Sequence, residues 1–333
     1  MSTRRTARLS GALALTLALT VTGCGSGDSD DASGSKGATR VIKADNGDIT
    51  IPVKAERVVA TGYAVPALIE AGAPLVGISS WKRGVPMMDA QTKATYDKTP
   101  KVAGETAAET NYEAIAKAKP DVIVIGVPAP VLGDIDVNRL KSIAPVVAIG
   151  PTVPSAWREL SRRQADAAGV VSGLDASKTA YEAKAAQLAT KYKDVLPQLK
   201  LAHVGGYGEV AKGNFHREFD KSWGTNVAND IGAKYYGQVK VKGPGSKSVS
   251  EYPSIEELPS ALKDADAITY TVNPDGSVPA PVKYVLDSDL WKNLPAVKAG
   301  KTYPFRYTEA ATYKSAMQTL DAIDQSFAPL LKQ

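Results

Sequence analysis

The stretch TNYEAIAKAKPDVIVIG, residues 110–126, decides the fold of this chain. Either Thr110 or Asn111 can cap a short helix, and Pro120 ends it. The run DVIVI that follows is apolar without alternation, which predicts a strand covered on both faces. A helix followed by a buried strand is the repeating unit of an α/β fold with a parallel sheet.

The same pattern returns in the second half of the chain. The motif NYE at 111–113 has a counterpart, SIE, at 254–256, 143 positions later, and an apolar strand again follows. A second pair, RVVATGY at 57–63 and LAHVGGY at 201–207, lies 144 positions apart. Two independent pairs at nearly one spacing predict two similar Rossmann-like α/β lobes with mainly parallel central sheets. If the lobes face each other, a ligand would bind in the cleft between them.

The N-terminus has the features of a bacterial lipoprotein signal. Arg4, Arg5 and Arg8 precede the apolar run of residues 9–21, and small residues then lead to Cys24, the only cysteine. In such a signal the cysteine receives a lipid and becomes the first mature residue. A plain secretory signal is the alternative, and for the export route we favour ordinary secretion over the twin-arginine system.

Composition divides the chain into five segments. We predict a signal peptide at 1–23, a flexible tether at 24–40, an N-terminal lobe at 41–154, a helical linker at 155–196 and a C-terminal lobe at 197–333. Cleavage would leave 37 basic against 35 acidic residues, a balance that does not indicate nucleic-acid binding. We therefore expect an extracytoplasmic protein, lipid-anchored at the outer face of the cell membrane, that acts as a monomer.

Motifs for catalysis, cofactors and metals are weak or missing. The sequence GYGEVA at 206–211 fits a dinucleotide fingerprint only superficially, because the residues after it do not continue a helix. No G-x-S-x-G motif occurs. His203 and His216 are the only histidines, which favours a structural role over a metal site. We expect a binding protein rather than an enzyme, with no cofactor and no protein-held metal.

Aromatic and cationic residues follow several predicted strands. Tyr63, Trp81, Arg83 and Tyr207 come directly after strands whose carboxyl ends should meet at one edge. There they would offer aromatic faces to apolar or cationic groups and a guanidinium to anionic oxygens. The alternative is that Trp81 packs at an edge and Arg83 is a solvated charge. Less strongly indicated members of the same predicted ligand site are Trp223, Tyr236, Arg306 and Tyr307.

Two glutamates at helix starts have a structural alternative. Thr110-x-x-Glu113 and Ser254-x-x-Glu257 both fit a capping box, in which the glutamate satisfies its own helix N-terminus. In the second lobe the capping residue would be Glu257, and Glu256 would have no capping role.

These residues together resemble a known family, the substrate-binding lipoproteins of class III ABC importers, in which a helical linker joins two lobes. The family's iron-siderophore branch includes binders of ferric hydroxamates and cobalamin. The resemblance runs from residue 40 to the C-terminus. It is carried by ERVVA at 56–60, LVGI at 75–78, NYE at 111–113 with KPDVI at 119–123, the helical linker, and SIEEL at 254–258.

The resemblance implies that the cleft binds an iron(III)-siderophore complex, whose iron arrives fully coordinated. Hydroxamate binders of this family line the cleft with tryptophan and tyrosine, and an arginine contacts the iron-bound oxygens. The resemblance also implies that one glutamate on each lobe docks onto arginines of the permease, which is coupled to an ATPase. By motif these are Glu113 and Glu256, with Glu257 open as the alternative to Glu256.

Two other functions remain open at this point. Haem or cobalamin binding belongs to the same importer class, and haem would favour an axial ligand such as Tyr63. A lipid-anchored enzyme is the alternative from another functional class.

Overall fold

Two five-stranded sheets form the framework of the computed structural model, which describes residues 37–332. The predicted signal peptide, Cys24 and most of the predicted tether lie outside these residues. The strands are β1 Thr39–Ala44, β2 Gly47–Pro52, β3 Val58–Gly62, β4 Leu75–Ser79, β5 Lys101–Ala103, β6 Val122–Gly126, β7 Val146–Ala148, β8 Leu201–Gly205, β9 His216–Glu218, β10 Ser250–Glu251, β11 Ala267–Thr271 and β12 Thr302–Phe305.

Twelve α-helices are found in the described part of the chain, and they connect and cover the strands. They are α1 Ala64–Glu70, α2 Ala90–Lys98, α3 Tyr112–Lys117, α4 Val137–Lys141, α5 Trp157–Ala167, α6 Asp175–Tyr192, α7 Asn226–Asn229, α8 Leu258–Leu262, α9 Ala280–Asp287, α10 Asp289–Lys292, α11 Pro295–Lys298 and α12 Tyr313–Phe327. Within residues 37–332 no helix is both long and apolar enough to cross a membrane.

The N-terminal lobe is built on the sheet β5-β4-β3-β6-β7, in which all neighbouring strands are parallel. Alternate residues of β3 enter different cores: Val58 packs with α1, and Val59 packs with Ile115 of α3. All five residues of β6 are buried, as the apolar run predicted. The antiparallel hairpin β1-β2 adds Ile42 and Ile51 to the core on the α1 side.

Both ends of the short helix α3 are held by specific groups. At its start, the Asn111 side chain accepts a hydrogen bond from the Ala114 amide at 3.0 Å, so Asn111 rather than Thr110 is the cap. At its end, the Arg57 guanidinium donates to the carbonyl oxygens of Ala118 and Lys119, at 2.7 and 2.8 Å. The chain then turns through Lys119 into β6.

The C-terminal lobe is built on the sheet β10-β9-β8-β11-β12. Its strands β8, β11 and β12 are parallel, whereas β9 runs antiparallel to both β8 and β10. The predicted fold class, two α/β lobes with mainly parallel sheets, is therefore confirmed, with one antiparallel strand in the second lobe.

The helical segment between the lobes packs on both of them. Leu160 of α5 enters the core of the N-terminal lobe, while Leu188 of α6 enters the core of the C-terminal lobe beside α12. A buried carboxylate ties three helices at this junction. Glu70, at the end of α1, accepts hydrogen bonds from the Ser177 hydroxyl of α6 at 2.5 Å and the Lys314 amide of α12 at 3.3 Å.

Two glycines set the geometry where β3 and β6 end. Gly62 has φ +60°, a conformation that residues with a Cβ rarely adopt, and Gly126 lies beside it in the ladder. The Tyr63 amide donates to the Gly126 carbonyl at 2.8 Å. A Cβ on Gly126 would lie 2.3 Å from the Ala64 nitrogen and 2.9 Å from that of Tyr63. The backbone leading into α1 therefore packs directly on Gly126.

We expect the substitution Gly126→Ala to lower the free energy of unfolding by about 2–3 kcal/mol, because the new methyl group overlaps backbone that cannot move aside cheaply. Urea denaturation at constant m-value measures this loss. Gly133→Ala is the matched control, since nothing lies within 4 Å of the added Cβ, and it should change stability by less than about 0.5 kcal/mol. Equal stability of the two variants would contradict the close-packing argument.

Candidate functional site

Loops that follow strands of both lobes bring candidate residues to one cleft. Tyr63 follows β3 and Trp81 follows β4 in the N-terminal lobe. From the C-terminal lobe, Trp223 follows β9, and its ring stacks on Tyr63 with the centroids 6.4 Å apart and the planes 11° apart. We call the space between the two lobes at these residues the cleft.

Trp81 is buried beside this cleft. The residue is 5% exposed, and its amide donates to the Tyr96 hydroxyl at 2.9 Å. The chain then folds back over the indole as a 3-10 helix, Lys82–Met87. Gly84 makes that path possible, because a Cβ there would lie 2.1 Å from the indole nitrogen. Trp81 is thus packed within its own lobe and also lines the cavity between the lobes, and its contact with a ligand stays a prediction.

The guanidinium of Arg83 lies against the two aromatic rings of its own lobe. Its Cζ is 4.1 Å from the centroid of Trp81 and 4.7 Å from that of Tyr63, and those two rings meet edge-on at 4.8 Å. Such stacking holds the guanidinium by cation–π attraction. Among residues 37–332 no carboxylate forms a salt bridge with Arg83. Arg83 is exposed, so its guanidinium is a solvated charge that lies against two rings, and without a carboxylate partner in the described residues it can receive anionic oxygens of a ligand.

The C-terminal lobe contributes a carboxylate, Glu309, that sequence analysis missed. Glu309 lies between β12 and α12 and accepts a hydrogen bond from the hydroxyl of Tyr207, which follows β8. Burial raises the pKa of Tyr63 and of Tyr207, and the Glu309 charge adds to both shifts, while Arg83 opposes them. Both phenols therefore remain protonated at neutral pH. The only sequence signal for Glu309 was its position after a strand carboxyl end.

Two cavities adjoin the stacked residues. One, of about 30 Å³, lies between the lobes and is lined by Tyr63, Arg83, Trp223, Glu309 and Lys314 among others. The other, of about 250 Å³, lies at the edge of the N-terminal lobe and also contacts Tyr63 and Arg83. Sites for organic ligands enclose about 300–1,000 Å³, so each cavity is smaller than such a site and a sizeable ligand would require side chains around Tyr63 to move.

The remaining predicted ligand residues are not part of this cluster. Arg306 is exposed and Tyr307 adopts φ +58°, and both follow β12 at the cleft edge without lining either cavity. Tyr236 requires a correction. Its amide donates to the Leu201 carbonyl at the start of β8, and its hydroxyl donates to Ala261 at 2.6 Å. It therefore lies at the opposite end of the sheet, held there by core packing.

Glu113 does not serve as a capping residue. The capping box in this region is formed by Thr106 and Glu109, one short helix earlier, while Asn111 caps α3. Glu113 is exposed in the first turn of α3, with no hydrogen bond or salt bridge from its side chain to any residue in the described range. Its carboxylate is thus available to an external partner.

In the second lobe the structure separates Glu256 from Glu257. The Glu257 carboxylate pairs with Lys240, whereas Glu256 is exposed and its side chain has no such partner within residues 37–332. The Ser254 hydroxyl caps this turn by accepting the Glu256 amide at 3.3 Å. Of the two glutamates, Glu256 is the one left free, as Glu113 is in the first lobe.

Both histidines meet at one buried carboxyl group under the Tyr207 loop. His203 Nε2 lies 3.5 Å from one oxygen of Glu218, and His216 Nδ1 lies 3.4 Å from the other. Burial lowers the pKa of each imidazole to about 3 and raises the pKa of Glu218 to about 8, against the opposing effect of the Gly224 amide that donates to it. The cluster is therefore mainly uncharged at neutral pH. Within the described residues no group of His, Cys, Asp and Glu has the geometry to hold a metal ion.

Comparison with known families matches residues 58–306 of the chain to the family described as periplasmic binding protein. No protein of curated function matches the sequence.

Solved structures share the fold over most of the chain. A siderophore periplasmic binding protein from the fuscachelin gene cluster of Thermobifida fusca is 28% identical, with a TM-score of 0.66, and the match covers 83% of this chain and 97% of that one. Staphylococcus aureus SirA, complexed with staphyloferrin B, is 24% identical over 87% and 99% of the two chains, with a TM-score of 0.66. The catecholate-siderophore binding protein VctP of Vibrio cholerae is 20% identical over 87% and 100%, with a TM-score of 0.63.

We expect the buried cluster to give a stability maximum near pH 6.5. Below about pH 6.5 the unfolded chain protonates imidazoles that stay neutral when buried, so stability falls with acid. Above it, folded Glu218 keeps a proton that the unfolded chain has released, so its contribution is lost as the pH rises to about 8.

The variant Glu218→Gln tests this pH dependence, because it cannot ionise. Denaturation midpoints of the wild-type protein should decline between pH 6.5 and 8, and this decline should be absent in the variant. Glu209→Gln, at an exposed carboxylate, should retain the wild-type decline. A Glu218→Gln profile parallel to that of the wild type would show that Glu218 does not carry the effect.

Proposed function

Because the chain belongs to the family of periplasmic binding proteins, we propose that it captures a ferric siderophore outside the cytoplasm and delivers it to an ABC permease for iron uptake. The observation that carries the proposal is Arg83, held between Trp81 and Tyr63 at the cleft without a salt bridge in the described residues. The name of the 28% identical relative supports the same class of ligand.

The chemistry of a ferric siderophore suits these side chains. Its iron is already coordinated by the chelator, so the protein needs to recognise only the outside of the complex. Arg83 can donate hydrogen bonds to the iron-bound oxygens, which carry negative charge. Tyr63 and Trp223 offer flat faces to the hydrocarbon backbone of the chelator once their stack opens. Binding of this kind is stoichiometric and requires no catalytic group.

The charges around the cleft favour a hydroxamate over a catecholate. Carboxylates outnumber cations among the residues lining the two cavities: Asp89, Glu105, Asp134 and Glu309 stand against Arg83 and Lys314. The Lys314 ammonium also lies 3.7 Å from Asp89, which partly neutralises it. A ferric tris-catecholate carries three negative charges and would be repelled, whereas ferric trihydroxamates are neutral or positive. The fold itself does not discriminate, since similar structures are named for staphyloferrin B and catecholates.

The proposal includes attachment and delivery. Cys24, after a signal peptide, would carry the lipid that holds the protein at the outer face of the membrane. Glu113 and Glu256, one on each lobe, would form charge-assisted contacts with arginines of the permease. Their support is that each carboxylate is exposed and unpaired within residues 37–332. Both side chains start from short helical turns that are capped by another residue, so capping does not occupy them.

We expect the mature chain to bind a ferric trihydroxamate with submicromolar affinity, followed by quenching of tryptophan emission, and to bind a ferric tris-catecholate, haem and cobalamin much more weakly. Arg83→Ala should weaken hydroxamate binding by about 1–3 kcal/mol, the scale of a lost hydrogen bond to a charged group.

Lys82→Ala is the matched control, because Lys82 is the exposed cation beside Arg83 and lines neither cavity. It should leave the affinity unchanged. Tight binding of haem or cobalamin alone would contradict the siderophore proposal. Equal affinities of the two variants would show that Arg83 does not contact the ligand.

For delivery, the double variant Glu113→Ala with Glu256→Ala should bind ferric siderophore normally but support little iron uptake in cells, because docking contacts are lost while the cleft is intact. Radiolabelled iron uptake measures this. Glu257→Ala, at the carboxylate that pairs with Lys240, should retain uptake. Wild-type uptake by the double variant would refute the docking assignment.

A further inference from the structure

We propose that Glu309 makes the cleft selective for ferric hydroxamates that carry a positively charged amine. This inference rests on the proposed function and assigns a specificity-determining residue to the same site.

The position of Glu309 is fixed by the C-terminal lobe. It stands between the end of β12 and the Thr312 cap of α12, and one of its carboxylate oxygens accepts the Tyr207 hydroxyl. Since the pKa of that phenol is raised by burial and by the Glu309 charge, the hydroxyl keeps its proton and remains a donor. The Tyr207 residue is 45% exposed although its hydroxyl group is desolvated, so the pair lies close to solvent.

No cation neutralises Glu309 within the described residues. It lines the interlobe cavity with Arg83 and Lys314, yet it forms a salt bridge with neither, and the Lys314 ammonium lies instead near Asp89. Tyr63 and Trp223 line the same cavity. A carboxylate beside aromatic faces is the environment in which proteins bind ammonium groups, by a charge-assisted hydrogen bond and cation–π attraction.

The two lobes therefore present opposite charges to one ligand. Arg83 of the N-terminal lobe matches the anionic oxygens around iron, and Glu309 of the C-terminal lobe matches an ammonium elsewhere on the chelator. A ligand with both features contacts both lobes with complementary charge. A ligand that lacks the ammonium leaves the Glu309 carboxylate desolvated without a partner, which costs affinity.

The test uses two ligands that differ by one charge. The mature chain is titrated with a linear ferric trihydroxamate ending in a primary amine, and with the same complex after the amine is acetylated. We expect the wild-type protein to bind the amine form about tenfold more tightly, as one charge-assisted contact implies. Glu309→Gln should weaken the amine form about tenfold and leave the acetylated form within about twofold.

Two further variants separate a directed contact from a general effect of charge. Glu209→Gln removes an exposed carboxylate of the same lobe that lines neither cavity, and it should preserve the preference for the amine. Tyr207→Phe removes the hydroxyl that orients Glu309, and it should reduce the preference without abolishing it. Thermal unfolding of each variant checks that the fold is retained, and Tyr207→Phe carries the test if Glu309→Gln does not fold.

The outcomes distinguish this inference from the proposed function. Equal wild-type affinity for the two ligands would overturn the role of Glu309 and leave hydroxamate binding in place. Equal weakening of both ligands by Glu309→Gln, or loss of the preference in Glu209→Gln as well, would also overturn it. Failure of both ligands to bind the wild-type protein would overturn the proposed function, and the inference with it.

Discussion

The hydrogen bond from the Tyr63 amide to the Gly126 carbonyl connects the fold to the site. The bond joins the chain just after β3 to the end of β6, and these are neighbouring strands at the centre of the N-terminal sheet. Tyr63 therefore leaves the sheet at this point and its side chain reaches the cleft. Only glycine at 62 and 126 allows this approach, because a Cβ at either position would overlap backbone of the other strand or of α1. The Tyr63 ring then supports Arg83 on one side and meets Trp223 on the other.

Under the proposed function, each lobe would contribute a different part of the recognition of the ligand. In the N-terminal lobe, the Arg83 guanidinium lies over the indole of Trp81. Trp81 is buried and packs closely against the turn at Gly84. The C-terminal lobe offers Trp223 and the Glu309 carboxylate. Because the lobes are tied at Glu70 through α6 and α12, opening of the cleft has to be accommodated by the stacked side chains near its mouth or by small shifts of these helices. Under the proposed function, these ties between the lobes would keep the spacing of Glu113 and Glu256 nearly constant when a ligand enters.

The second lobe buries a polar cluster of Glu218 and two histidines, and we expect this cluster to make the stability of the protein depend on pH. Glu218 and both histidines lie in a space that Gly205 and Gly224 leave open, since a Cβ at these glycines would lie 2.2 Å from His216 Nδ1 and 2.0 Å from His203 Nε2. Threonines of β11 hydrogen-bond to His203, at 2.7 and 3.1 Å. Buried ionisable groups persist only when they are neutral or paired, and here neutrality is the outcome.

The sequence by itself predicted the central parallel strands, the helices beside them and the division into two lobes, because hydrophobic periodicity, proline breaks and helix caps act within a few residues. It did not predict the antiparallel hairpin β1-β2 or the antiparallel strand β9. It also proposed Tyr63 and Arg83 as ligand residues because they follow strand carboxyl ends, and the structure brings both to the cleft with Trp223. Tertiary structure alone decided the rest. The Tyr236 hydroxyl donates to the Ala261 carbonyl, which holds the residue at the far end of β8. Glu257 forms a salt bridge with Lys240, and Glu309 accepts a hydrogen bond from Tyr207. Each of these contacts is made with a residue that is not adjacent in sequence. The direction of such a side chain depends on its partner in the folded protein, so local sequence cannot specify it.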